Sequence, residues 1–139
     1  MSKDKILVVE DAPDISSLLK IYFTSQGFEV MTAMRGQVAL EMCRKTPPNL
    51  ALLDVNLPDM EGSEVMARLR SDPRTSAIPV VVISADAMQT QIDRLLGGGA
   101  CAYLTKPIDV TKFLTILDDV LKNSSVSSVG GQTAPRLAA

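Results

Sequence analysis

The 139-residue chain contains no histidine and no tryptophan, and only two cysteines. Without histidine, Ser-His-Asp and Cys-His catalysis, HExxH zinc sites and a phosphohistidine carried by this chain are all excluded. The cysteines, Cys43 and Cys101, are far apart and lie in apolar stretches. This placement favours buried small hydrophobic residues over a zinc cluster or a redox pair, and it is consistent with a reducing compartment.

The sequence also lacks a strong net charge and a long apolar run. The formal net charge is −2, from 14 basic and 16 acidic residues. This balance argues against direct nucleic-acid binding, which usually needs a basic patch. No apolar run approaches the ~18 residues of a membrane-spanning helix, and the apolar residues near the N-terminus are too few for a signal peptide. We therefore expect a cytoplasmic protein without membrane association.

Short apolar runs alternate with segments of helical periodicity. The strand candidates, of which the second is less apolar, are Ile6–Val9, Glu29–Ala33, Leu50–Leu53, Val80–Ile83 and Ala102–Leu104. Runs that are apolar throughout indicate strands covered on both faces, as in parallel sheets. The alternation therefore predicts an α/β protein with a three-layer αβα arrangement. An open, flavodoxin-like sheet of five parallel strands in the order 2-1-3-4-5 is the expected architecture.

A change of composition near residue 123 divides the chain. Residues 1–122 carry the strand–helix pattern, whereas residues 123–139 are small, polar and aperiodic. Length alone favours one domain, since single domains most often hold about 100–150 residues. We therefore predict one folded domain over residues 1–122, followed by a flexible tail or linker over residues 123–139 and no second domain.

Polar residues occur where the predicted strands end. Glu10 and Asp11 follow the first strand, and Asp54 ends the third. Ser84 ends the fourth strand, and Lys106 follows the fifth. Each has an ordinary explanation on its own, as a helix cap, a turn residue or a solvated charge. Because ligands bind outside the carboxyl ends of the strands in an open parallel sheet, their joint placement predicts a site at one sheet edge.

The residue types at this edge suit phosphoryl chemistry. Clustered carboxylates repel each other, at about 4 kcal/mol for two unit charges about 4 Å apart in an effective dielectric of about 20. A protein that keeps them close shifts their pKa values or binds a cation, and oxygen ligands select hard ions such as Mg²⁺. A carboxylate can attack phosphorus while a lysine and a hydroxyl contact the phosphoryl oxygens. The set therefore predicts an aspartyl-phosphate site that lacks the general base of a hydrolase.

Four motifs resemble the receiver domain of two-component response regulators, a family typical of bacterial signalling. In chain order, over about residues 4–122, they are Ile6–Asp11, Leu52–Gly62, Ile78–Ala85 and Gly99–Pro107. The resemblance implies that Asp54 accepts a phosphoryl group. It also implies a Mg²⁺ or Mn²⁺ site whose ligands are Glu10, Asp11, Asp54 and the backbone carbonyl of Asn56. Glu10 stands where many family members have Asp and is expected to act in the same way.

The resemblance assigns further roles at the same edge. Ser84 and Lys106 would contact the phosphoryl group, and the Lys106–Pro107 peptide bond would be cis. Ser84 and Tyr103 match switch positions, with Tyr103 turning inward on activation. The face formed by the fourth helix, the fifth strand and the fifth helix would then change its affinity for a partner.

Asn56 and Asp86 lie two residues beyond Asp54 and Ser84, at positions that tune the lifetime of the phosphate in this family. We expect a lifetime of minutes rather than hours. The chain would then be a phosphoacceptor signalling domain and not an enzyme, with only self-catalysed transfer and slow autodephosphorylation. Its donor would be a phosphohistidine on a sensor histidine kinase or a histidine phosphotransfer domain, in another chain or within a longer hybrid kinase.

The residues leave two other functions to consider. A Mg²⁺-dependent aspartyl phosphohydrolase would share the chemistry of Asp54, but it would need an acid/base Asp where this chain has Asn56. A non-phosphorylated interaction module of the same fold would be expected to have lost Asp54, Asp11 or Lys106. The sequence leaves open whether the domain stands alone or belongs to a hybrid kinase, and whether it forms a homodimer.

Overall fold

Five strands and five helices alternate along the part of the chain that the structure, a computed structural model, describes, namely residues 4–86 and 88–125. In chain order they are β1 (Lys5–Val9), α1 (Pro13–Ser25), β2 (Glu29–Ala33), α2 (Gly36–Lys45), β3 (Leu50–Asp54), α3 (Gly62–Ser71), β4 (Val80–Ser84), α4 (Gln89–Gly97), β5 (Ala102–Thr105) and α5 (Val110–Ser125). The predicted α/β alternation is confirmed, and each predicted strand agrees with the observed one to within a residue at either end.

The five strands form one parallel sheet in the order β2-β1-β3-β4-β5, as predicted. The chain changes direction across the sheet between β1 and β3, where Val9 pairs with Leu53. The residues that follow these two partners, Glu10 and Asp54, therefore lie side by side at the carboxyl edge. This is the switch point at which open α/β sheets bind their ligands.

The sheet separates two apolar clusters, because successive strand residues point to opposite faces. On one face, strand residues such as Leu7, Leu53 and Val82 pack with α2, α3 and α4. On the other face, α1 and α5 cover the sheet, with the Phe23 and Phe113 rings 5.1 Å apart between centroids. This two-sided burial explains why the central strands are apolar except at their ends, where Lys5, Asp54 and Ser84 stand.

The helix ends follow local sequence signals. α1 begins at Pro13, and the turn after it contains Gly27 in the left-handed region, at φ +97°. The Asp109 carboxylate accepts the Lys112 N–H at 3.2 Å and so caps α5. α5 continues to Ser125, past the change of composition at residue 123, since helical backbone bonds can outlast the apolar stripe. The remainder of the predicted tail lies outside the described residues.

None of the helices described is long and apolar enough to cross a membrane. Both cysteines are free, with Cys43 buried and Cys101 partly buried. Burial raises the pKa of the Cys43 thiol to about 11, so this side chain acts as a small apolar residue of the core.

Candidate functional site

The carboxyl edge of the sheet brings together the three acidic residues expected there. Carboxylate oxygens of Glu10, Asp11 and Asp54 lie within 4.8 Å of one another. Glu10 is 1% exposed and Asp54 is 3% exposed, whereas Asp11 is open to solvent. Among the described residues, this is the one group of three acidic or cysteine side chains close enough to share a metal ion.

Lys106 supplies positive charge to this cluster. It follows β5, and its backbone N–H donates to the Ser84 carbonyl at 2.8 Å. Its Nζ lies 3.1 Å from Asp54 Oδ2 and 3.3 Å from Glu10 Oε1. Burial lowers the pKa of Lys106, but the hydrogen bond and the attraction from both carboxylates outweigh it and raise the pKa overall. The ammonium group therefore stays charged beside Asp54. The Lys106–Pro107 peptide bond is cis.

Glu10 carries an acceptor atom that is buried without a hydrogen bond. Its Oε2 accepts the Ala12 N–H at 3.2 Å, but its Oε1 makes no hydrogen bond even though Lys106 Nζ is near. Burial raises the pKa of Glu10, and the neighbouring Asp54 carboxylate adds to the rise. A buried carboxylate oxygen that has no hydrogen bond and lies next to two further carboxylates is suited to bind a hard divalent cation.

The backbone of Asp86 joins the two residues expected to form the switch. Ser84 is fully buried at the end of β4, and its Oγ accepts the Asp86 N–H at 3.0 Å. The Tyr103 hydroxyl donates to the Asp86 carbonyl at 2.6 Å, and the Tyr103 side chain is buried. The Tyr103 side chain therefore lies inward in this structure and is joined to the backbone of Asp86. The Asp86 carboxylate accepts the Met88 N–H at 2.8 Å, just before α4.

The loop between β3 and α3 holds Asn56 beside the acceptor. The Asn56 N–H donates to Asp54 Oδ1 at 3.0 Å, while its side chain is exposed. The loop closes on itself through a bridge between Asn56 and Glu61 and through the Gly62 N–H, which donates to Val55 O at 2.7 Å. A Cβ at Gly62 would lie 2.9 Å from Val55 Cα, so glycine permits this close approach.

Asp59 also lies at this edge, but it was not among the predicted site residues because it neither ends a strand nor directly follows one. It lies in the β3–α3 loop, and its carboxylate accepts the N–H groups of Gly36 at 2.8 Å and Gln37 at 3.0 Å. The first residues of α2 have no capping side chain of their own. The sequence shows only an aspartate five positions after the acceptor. Its role could not be predicted from the sequence, because the N–H groups that it binds lie more than twenty residues earlier in the chain.

Comparison with known proteins shows the family to which the chain belongs. The family model described as the response regulator receiver domain matches residues 6–118. The chain is 39% identical over 128 residues to the response regulator PleD of Caulobacter vibrioides, covering 84% of this chain and 28% of PleD. It is 33% identical over 116 residues to the polar-differentiation response regulator DivK of Brucella anthropi, covering 84% of this chain and 94% of DivK.

A solved structure gives the same result for the fold. The response regulator receiver domain protein (CheY-like) from Methanospirillum hungatei superposes with a TM-score of 0.81 at 28% identity, covering 87% of this chain and 95% of that one. The chain therefore spans almost the whole of DivK and of this structure, but only about a quarter of PleD.

Proposed function

Because the chain belongs to the response regulator receiver domain family, we propose that Asp54 accepts a phosphoryl group from a phosphohistidine and that the modified domain acts on a partner. The observation that carries this proposal is the Lys106 ammonium group, 3.1 Å from a buried Asp54 carboxylate that lies beside Glu10 and Asp11. Transfer of a phosphoryl label to the wild-type chain, but not to Asp54→Asn, is the experiment that tests it.

The transfer step uses groups that the site already holds. A carboxylate oxygen of Asp54 attacks phosphorus, a P–O bond forms, and the P–N bond of the donor breaks, with the imidazole leaving after it takes up a proton. Lys106 would contact one phosphoryl oxygen as it now contacts Asp54. Ser84 Oγ accepts a backbone hydrogen bond, which leaves its own proton for a second phosphoryl oxygen. The chain itself thus stabilises the added charge.

The acidic cluster would hold Mg²⁺ or Mn²⁺. The proposed ligands are Glu10, Asp11, Asp54 and the backbone carbonyl of Asn56. The oxygen-only donor set and the buried Glu10 Oε1 without a hydrogen bond support this assignment. When bound, such an ion supplies positive charge that offsets the charge of the phosphoryl oxygens.

We propose that the signal leaves the site through the β4–α4 loop. The Ser84 hydroxyl, whose Oγ now accepts the Asp86 N–H, would move toward the phosphoryl group when it donates a hydrogen bond to it. The carbonyl of Asp86 also accepts a hydrogen bond from the Tyr103 hydroxyl. A shift of Asp86 would therefore move Tyr103 and the surface formed by α4, β5 and α5. We propose that the chain acts as a signalling domain in the cytoplasm, in which the receiver extends to the end of α5 at Ser125, three residues beyond the predicted boundary, and the rest of the predicted tail or linker follows it.

We propose that the donor is a protein, namely a sensor histidine kinase or a histidine phosphotransfer domain, in trans or in a longer hybrid kinase. An open groove of about 700 Å³ is lined in part by Lys106, the residue that bonds Asp54. Its lining is mainly apolar and includes Ile15, Leu18, Tyr22, Pro107 and Ile108. When a phosphohistidine on another folded domain reaches Asp54, the surface of that domain would contact the residues that line this groove. Leu18, which is 67% exposed, is well placed to contact it.

Leu18→Asp is expected to slow transfer from a phosphohistidine domain about tenfold, the effect of losing about 1.4 kcal/mol at one apolar contact. The measurement is the initial rate of transfer from a purified donor that phosphorylates the wild-type chain. Ile21→Asp is the matched control, since Ile21 lies on the same helix, is also 67% exposed and does not line the groove. Equal losses in both variants, or an equal loss with acetyl phosphate as donor, would contradict the assignment.

The aspartyl phosphate is expected to last minutes, because Asn56 and Asp86, two residues beyond Asp54 and Ser84, carry polar side chains that would orient a water for hydrolysis. Asn56→Ala and Asp86→Ala should each lengthen the lifetime several-fold, as followed by the time course of phosphate release. Asp93→Ala serves as control, since Asp93 accepts a hydrogen bond only from Gln89 in the same helix among the described contacts. A wild-type lifetime of hours, or lifetimes unchanged in both variants, would remove these residues from the role.

A further inference from the structure

The N-terminus of α2 is held by a side chain from another loop. Arg35, at the N-cap position, makes no capping bond. Asp59 of the β3–α3 loop instead accepts the Gly36 N–H through Oδ1 and the Gln37 N–H through Oδ2. These two backbone hydrogen bonds lower the pKa of Asp59, so the carboxylate stays charged at the positive end of the helix. The loop and the helix are thereby joined by a charge-assisted pair of bonds.

Apolar packing reinforces this junction. A Cβ placed on Gly36 would lie 2.5 Å from Met60 Cγ and 2.9 Å from Val65 Cγ2. The backbone at the start of α2 therefore rests directly on the residue that follows Asp59 and on the first turns of α3. The polar and apolar contacts together fix where the tip of the β3–α3 loop lies.

Contacts within the β3–α3 loop connect its tip to the acceptor, Asp54. The two ends of the loop are tied by the Asn56–Glu61 bridge and by the bond from the Gly62 N–H to Val55 O. The Asn56 N–H in turn bonds Asp54 Oδ1. We propose that Asp59 is a positioning residue of the phosphorylation site, which sets the backbone of Asn56 and thereby the metal affinity of the cluster. This inference rests on the proposed function.

Asp59→Ala is expected to raise the dissociation constant for Mg²⁺ about threefold to tenfold, less than the ~10–100-fold typical when a residue that bonds a metal ligand directly is lost. Isothermal titration with MgCl₂ measures this constant for the intact chain. Asp59→Asn, which keeps one acceptor oxygen, should fall between Asp59→Ala and the wild type. The Asn56 amide resonance should shift in ¹⁵N–¹H spectra of Asp59→Ala.

Asp72→Ala is the matched control. Asp72 Oδ2 lies 3.3 Å from Arg44 Nε and so joins α2 to the C-terminal end of α3, whereas the β3–α3 loop lies at the N-terminal end of that helix. Its removal should lower the urea midpoint but leave the Mg²⁺ constant and the Asn56 resonance unchanged. If Asp59→Ala and Asp72→Ala change Mg²⁺ affinity alike, or if neither does, Asp59 has no positioning role. If Asp11→Asn also leaves Mg²⁺ binding unchanged, the proposed metal site itself is wrong.

Discussion

Asp54→Asn is expected to reduce phosphoryl labelling from acetyl phosphate to background, about a hundredfold or more below the wild type, because an amide oxygen lacks the charge of the nucleophile. The replacement keeps the size of the side chain, and its oxygen can still accept the Asn56 N–H. The loss therefore reports on chemistry rather than folding. Labelling of the wild-type chain should need Mg²⁺ and should stop when EDTA is added.

Asp118→Asn provides the matched control for this experiment. Asp118 is an exposed aspartate on α5, and its carboxylate pairs with Lys122 in the next turn of the helix. The control should label like the wild type. Urea unfolding should show that Asp54→Asn remains folded. Label that persists in Asp54→Asn, or that appears on another residue, would contradict the assignment of Asp54 as acceptor.

The fold follows closely from burial, and this is why much of it could be predicted. β3 and β4 are buried at every position, so neither face could be left to solvent and both had to be covered by helices. β2 reads as the least apolar candidate because it lies at an edge of the sheet, where Glu29 is exposed. The sequence pattern does not contain the strand order itself. That order follows from the preference of flavodoxin-like sheets for one topology.

The site could be predicted only as far as strand ends determine it. Glu10, Asp54 and Lys106 come together because parallel strands end at a common edge. The bonds of Asp86 to Ser84 and Tyr103 depend on the path of the β4–α4 loop, and the cap from Asp59 to α2 joins two separate loops. Neither contact follows from periodicity, which determines the face on which a side chain lies but not which loops meet.

Glu10→Gln is expected to raise the free energy of unfolding at pH 7 in EDTA by about 1–3 kcal/mol, the usual cost of a buried polar group without its hydrogen bond. Glu10 is 1% exposed, and its Oε1 has no hydrogen bond. Glutamine keeps an oxygen for the Ala12 N–H and gains an amide group that can donate to Asp54. Lys106 retains its bond to Asp54. Urea unfolding followed by circular dichroism measures the change.

The pH dependence of this difference has a definite sign. Burial, followed by the effects of Asp54, raises the pKa of Glu10 in the folded protein above its ordinary value of 4.5. Between 4.5 and the raised value, the folded chain holds a proton that the unfolded chain has lost, so the stability of the wild type falls as the pH rises. The advantage of Glu10→Gln in EDTA should therefore be largest near neutral pH and should shrink as the pH falls toward 4.5.

Mg²⁺ is expected to offset this advantage, because binding to the folded state alone adds about 2.7 kcal/mol at a hundred times the dissociation constant. The wild type should gain this stabilisation, whereas Glu10→Gln, which lacks one charged ligand, should gain less at the same concentration. Glu29→Gln, at an exposed position of β2, should match the wild type with and without Mg²⁺. If Glu10→Gln were less stable than the wild type in EDTA, the attraction between Glu10 and Lys106 would exceed the cost of burial and of repulsion from Asp54. The acidic cluster would then be stable without a cation, and carboxylate repulsion would no longer support the proposal that it binds one.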